Sequence, residues 1–284
     1  MIQKKEKFME ALFLITACVS VVAVALICIF LFANGFPAIF EIGITDFILG
    51  TKWKPGNDIY GIFPMILGSI YVTVGAIIVG VPIGILMAVF MARFCPAKLH
   101  AVLKPIVDLL AGIPSIVYGF FGLVVLVPFI REHFTGNGNS ILTASILLGI
   151  MILPTIIGVS ESALRAVPET YYEGALALGA THERSVFTVV LPAAKSAVTA
   201  AVILGVGRAI GETMAVMMVA GNQARIPNSI FKGVRTMTAN IVIEMGYAAG
   251  LHREALIATG VVLFIFILII NLSFSILKQK KEVE

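Results

Sequence analysis

Hydrophobic positions in this chain do not alternate with polar ones at a strand or amphipathic-helix period. They come in long runs at about 11–33, 66–92, 109–130, 141–160, 196–220 and 255–277. A bilayer core of about 30 Å takes about 20 residues at 1.5 Å each, so each run predicts a membrane-spanning helix. Six such helices use most of the 284 residues and leave no room for a soluble catalytic domain. The expected fold class is an all-α integral membrane protein with six transmembrane helices in one domain spanning 1–284.

Composition agrees with this reading. The chain is 59% hydrophobic and 13% charged, with a mean hydropathy of +1.04, whereas soluble domains carry about 25% charged residues. The net charge of +4 is spread along the chain, so no nucleic-acid partner is expected and the lipid bilayer is. Cys18, Cys28 and Cys95 are too scattered for a disulfide framework, and the four histidines lack metal-binding spacing. No metal or cofactor is expected in the chain. The run at 11–33 follows Lys4, Lys5 and Lys7 but exceeds a signal-peptide core of about 7–15 residues, which predicts a retained signal anchor. With both termini placed in the cytoplasm, Lys and Arg are commoner in the inside segments, and the tail lysines Lys278, Lys280 and Lys281 agree. Pro82, Pro114, Pro128 and Pro154 fall inside or near spans, where neighbouring helices can satisfy the backbone groups that proline frees.

Only the fifth run carries charge. Residues 205–216 read GVGRAIGETMAV, and an ionisable group at bilayer depth costs at least about 2.5–3.5 kcal/mol. On a continuous helix Arg208 and Glu212 would lie one turn apart on one face, able to pair. Such groups normally face a bundle interior or a water-filled path. Arg208 can then attract an oxyanion through its planar donor fork, with Glu212 neutralising it when the path is empty. A structural interhelical ion pair is the other reading. Asp108 is expected to cap the third span, and Arg225, Lys232 and Arg235 to lie in an outer loop facing either solvent or an acidic partner.

The inside loop 161–195, ESALRAVPETYYEGALALGATHERSVFTVVLPAAK, predicts two short helices. Pro168 and Glu169 suit a helix start, Gly179 a break, and Pro192 the opening of the next span. Glu173-Gly174-Ala175, Gly179, Val189 and Leu191-Pro192 keep the spacing E-A-A-x3-G-x9-I-x-L-P of the EAA loop in ABC importer permeases. Gly174 and Val189 depart from it by small changes. Together with GVGRAIGETMAV and LLAGIPSIVYGFFGLVVLVPF at 109–129, the chain resembles the C-type permease subunits of phosphate ABC importers.

The resemblance implies a type I ABC importer permease (MetI-like) fold, a loop that docks on a separate ATPase subunit, and Arg208 and Glu212 in the path for inorganic phosphate. It also implies the partners: a second homologous permease, two ATPase subunits that bind ATP and Mg, and an extracytoplasmic phosphate-binding protein in a bacterial or archaeal plasma (inner) membrane. The chain has no GxxxxGK[ST] phosphate loop and is not expected to be an enzyme. A permease for sulfate or molybdate, or a secondary anion transporter, remains the alternative.

Overall fold

The computed structural model describes residues 2–282, with side chains for residues 6, 7 and 9–273. The side chains of Lys4, Lys5, Lys278, Lys280 and Lys281, which entered the orientation argument, therefore lie outside the described residues. The architecture is helical apart from one short hairpin. Five helical segments are long and apolar enough to cross a membrane, and a bent pair makes up to six.

The first helix, α1 (Ile2–Ile42), is 41 residues long, about 62 Å at 1.5 Å per residue and twice a bilayer core. It continues past the expected end at 33 because neither Gly35 nor Pro37 stops it. Its residues 11–30 are exposed on almost every side. Near Gly35, α1 meets α14 (Leu251–Glu282), and a Cβ there would lie 2.5 Å from Val261 Cγ2. After α2 (Ile44–Leu49), β1 (Trp53–Lys54) pairs antiparallel with β2 (Ile59–Tyr60).

The core is the pairing of α3 (Phe63–Val89) with α7 (Ile141–Arg165). Their seam is lined by small residues. A Cβ on Gly80 would sit 2.8 Å from the carbonyl oxygen of Gly149 and from Ile152. In a bilayer, apolar surface gains little by leaving lipid, so this close packing of backbones holds helices together. Both helices run from the hairpin end to the opposite end of the molecule, where the 161–195 loop lies.

Between them come α4 (Ala97–Gly112), α5 (Ser115–Phe121) and α6 (Val127–His133). The third apolar segment is Ser115–His133, so it starts later than 109, because Ile113 and Pro114 are extended and break the chain. Asp108 therefore lies inside α4 and does not cap the span; it pairs with Lys104 at 3.3 Å.

After α7 come α8 (Glu169–Ala177), α9 (His182–Ser185), α10 (Leu191–Ala193), α11 (Lys195–Gly211), α12 (Met214–Val219) and α13 (Met237–Met245). A 71° bend separates His182–Ala193 from Lys195–Gly211. It falls at Ala194, two residues beyond Pro192.

The hairpin end is tied together by one buried carboxylate. Glu244 of α13 accepts from Trp53 Nε1 at 2.8 Å, meets His252 Nε2 at 2.8 Å and takes Arg235 at 2.6 Å. Arg235 also donates to the carbonyl of Asn222 and the side chain of Asn240. It is thus an internal tie and not a free outer-loop charge, whereas Arg225 and Lys232 are exposed.

Candidate functional site

The fifth apolar run is not one helix. α11 ends at Gly211, Glu212 is extended (φ −69°, ψ 130°), and α12 starts at Met214. Arg208 and Glu212 therefore do not share a helical face, and among the described residues no carboxylate forms an ion pair with Arg208. Glu212 is occupied elsewhere: its Oε1 accepts from the Ala215 N–H at 3.1 Å. A carboxylate is favoured there because the first N–H groups of a helix lack intrahelical partners.

Non-helical backbone at membrane depth persists only where protein satisfies it, and the break meets that condition. Thr238 of α13 donates to the freed carbonyl of Glu212 at 3.1 Å, and Thr213 donates to that of Gly211 at 3.3 Å. The short α13 thus braces the break from the hairpin end.

Arg208 is half-buried, and its guanidinium donates to Thr155 Oγ1 at 3.4 Å. Thr155 lies on α7, between Ile141 and Arg165. At 1.5 Å per residue it is roughly 21 Å from one end of that helix and roughly 15 Å from the other, so Arg208 sits near mid-depth. A cation that, among the described residues, meets one long hydroxyl contact and no carboxylate keeps donors free for an anion. Thr155 and Thr238 were not singled out from sequence. The signal available for Thr155 was a hydroxyl directly after Pro154 in an apolar span.

The 161–195 loop forms the second candidate site. Pro168 stands one position ahead of the expected helix start, as the N-cap of α8, with Glu169 in the first turn. Glu173 and Gly174 are exposed and Ala175 is half-buried, with Leu176 and Leu178 39% and 91% exposed. Gly179 ends α8 at φ +84°. The Gly179 N–H bonds to the Leu176 carbonyl at 2.9 Å and the Ala180 N–H to that of Ala175 at 3.1 Å. This pair of bonds satisfies carbonyls at the helix end and requires a left-handed residue between them. The loop then turns into α9, capped by Thr181, whose Oγ1 accepts from the Arg184 N–H. Val189 and Leu191 are partly buried while Pro192 is exposed. Glu173, Gly174, Ala175 and Leu178 thus form a small apolar and acidic surface open to a partner, and Val189 and Leu191 tie the loop to the bundle.

Beside the loop, Glu161 is 3% exposed and pairs with His100 at 2.6 Å, Arg165 at 2.9 Å and Lys104 at 3.6 Å. These contacts join α4 to the end of α7. Among the described residues, no group of three or more His, Cys, Asp or Glu is placed to hold a metal ion.

Residues 80–283 match the family described as binding-protein-dependent transport system inner membrane component. The chain is 39% identical over 271 residues to a probable ABC transporter permease protein, YqgH, of Bacillus subtilis (strain 168), covering 91% of this chain and 88% of that one. It is 35% identical over 265 residues to the phosphate transport system permease protein PstC of Mesorhizobium japonicum (strain LMG 29417 / CECT 9101 / MAFF 303099), covering 86% and 81%. Among solved structures, the MetNI methionine ABC transporter in inward-facing conformations gives a TM-score of 0.57 at 22% identity, covering 78% of this chain and 94% of that chain. A bacterial alginate ABC transporter, in complex with an alginate pentasaccharide-bound periplasmic protein, gives 0.58 at 14% identity, covering 91% and 92%. Those likenesses show the fold of an ABC importer permease. The chain is a multi-pass membrane protein and belongs to the binding-protein-dependent transport system inner membrane component family, as a PstC-type ABC permease.

Proposed function

We propose that this chain is one of two permease subunits of an ATP-driven importer of inorganic phosphate, and that it forms half of the membrane path. The observation that carries the reading is Arg208, a guanidinium near mid-depth with no carboxylate partner among the described residues. Its donor fork matches two oxygens of a tetrahedral anion, and charge-assisted bonds of this kind are about twice as strong as neutral ones. Relatives over most of the chain named as phosphate permeases support phosphate as that anion.

In this reading both termini are cytoplasmic and the membrane is the plasma (inner) membrane. The hairpin end faces outward and the Glu173–Pro192 loop faces in. A second homologous permease completes the path, and an extracytoplasmic binding protein delivers phosphate. Two ATPase subunits hold ATP and Mg, and one of them docks on α8, so hydrolysis takes place outside this chain. Their closure displaces α8 and swings the bundle from inward- to outward-facing, and the released anion passes Arg208. Glu212 shapes the path by fixing the break between α11 and α12.

Uptake of radiolabelled phosphate by cells lacking their own importers, expressing this chain with its partner subunits, tests the reading. Competition by unlabelled phosphate and not by sulfate or molybdate is expected. Competition by sulfate or molybdate alone overturns phosphate as the substrate, and uptake that survives loss of the partner's ATP site overturns the ATP-driven mechanism.

A further inference from the structure

The loop that docks on the ATPases must pass its displacement to the spans that line the path, and the EAA residues themselves do not reach those spans with a directional contact. Two residues outside that motif do. Past α3 the chain makes one wide π-helical turn, Phe90–Phe94. Two neighbours in that turn, Arg93 and Phe94, contact both helical pieces of the loop.

The Arg93 side chain is 11% exposed. One terminal nitrogen donates to Glu169 Oε2, in the first turn of α8, at 2.8 Å. The other donates to the carbonyls of Leu164 at 3.0 Å and Val167 at 3.4 Å. Those carbonyls are at the end of α7, where helices leave acceptors unpaired and favour a cation. Arg93 therefore joins three elements at one point: the end of α3, the end of α7 and the start of α8.

Phe94 takes the second piece. Its ring lies edge-on to His182, the first residue of α9, with centroids 4.5 Å apart. His182 in turn bonds through Nδ1 to the hydroxyl of Tyr172 on α8 at 2.7 Å. Aromatic edge contacts have preferred geometry, so the ring fixes the direction of α9 as well as its distance. On the α7 side, Arg165 donates to the Met91 carbonyl, inside the same wide turn, at 2.8 Å.

An ion pair whose acid is 58% exposed is a weak source of stability. Here its use is directional. Arg93 is anchored by two backbone carbonyls and cannot swing after Glu169, so a displacement of α8 pulls on α3 and α7 together. These are the two helices meshed along the glycine seam, and α7 carries Thr155 against Arg208.

We propose that Arg93 and Phe94 form a clasp that transmits movement of the coupling loop to the α3–α7 pair, acting as positioning residues for ATP-driven transport. The proposal rests on the permease reading above. It places the transmission point at the end of α3, outside the residues that dock on the ATPase.

The test is the complete transporter in proteoliposomes, with its partner permease, ATPases and phosphate-loaded binding protein, reading phosphate moved per ATP hydrolysed. Glu169→Ala and Phe94→Leu are used because each removes one contact and leaves the Arg93 bonds to α7 in place. Each variant should retain co-purifying ATPase subunits while the transport-to-hydrolysis ratio falls about 2- to 30-fold, the span of single substitutions in coupled networks. Combining them should lower it further, and Glu169→Asp should recover part of it.

Unchanged ratios in both single variants overturn the clasp. Loss of the ATPase subunits from the purified complex also overturns it, since these residues would then be docking determinants. A wild-type complex that hydrolyses ATP but moves no phosphate overturns the function reading itself, and the clasp with it.

Discussion

Replacing Gly174 and Gly179 with alanine in turn should shift the stability of α8 in opposite directions. Both glycines are in the EAA segment, both are exposed, and a Cβ at either meets nothing within 4 Å. Packing therefore cannot separate them, and only backbone preference remains. Gly174 lies inside α8, where alanine is better than glycine by about 0.8–1.0 kcal/mol. Gly179 is at φ +84°, in the left-handed region that costs a residue with a Cβ about 1–2 kcal/mol. Hydrogen exchange on the assembled transporter reads the result at the α8 amides. Gly174→Ala should slow their exchange about 4- to 5-fold, and Gly179→Ala should speed it about 5- to 30-fold. ATPase-subunit affinity should follow the same order. Two variants that shift exchange in the same direction, or leave it unchanged, would refute the assignment of Gly179 as the conformational stop of α8.

Two further substitutions probe the frame around the path. Glu244→Ala removes the acceptor shared by Trp53, Arg235 and His252, and leaves Arg235, only 16% exposed, without its counter-charge; breaking a buried pair in this way costs about 3–5 kcal/mol. Thermal unfolding of the purified protein should show a lower Tm, and an unchanged Tm would deny the hairpin end its central tie. Gly80→Val forces a Cβ to within 2.8 Å of the Gly149 carbonyl and Ile152, an overpacking worth about 1–3 kcal/mol. Purified yield and Tm should both drop; wild-type values would mean that α3 and α7 can separate without cost.

The long apolar helices and the course of the 161–195 loop are legible because they rest on local facts: length against bilayer thickness, and a left-handed glycine at the end of a short helix. What failed was continuity. The run at 196–220 reads as one helix because GETMAV carries hydrophobicity straight across the break, and the cost of that break is offset from outside by Thr238, which is distant in sequence. Arg208 and Glu212 stay apart for the same reason: once α11 ends at Gly211, the carboxylate turns to the Ala215 N–H. The third span starts at Ser115 and not at 109 although residues before Pro114 are as apolar as those after it, so composition hides a change in direction. Arg235 looked solvent-facing since its partner Glu244 lies on a helix that the hydropathy pattern does not mark. Each of these was set by tertiary contacts that no local pattern encodes.

The claim that Arg208 handles the anion near mid-depth is decided by a conservative substitution. Arg208→Lys keeps the charge and removes the planar fork, giving up one charge-assisted hydrogen bond worth about 1.5–3 kcal/mol. Phosphate uptake into proteoliposomes holding the full transporter should fall about 10- to 150-fold, with the ATPase subunits still bound and binding-protein affinity unchanged. Uptake at the wild-type rate in that variant, and again in Arg208→Gln, would contradict the claim and leave Arg208 as a structural charge.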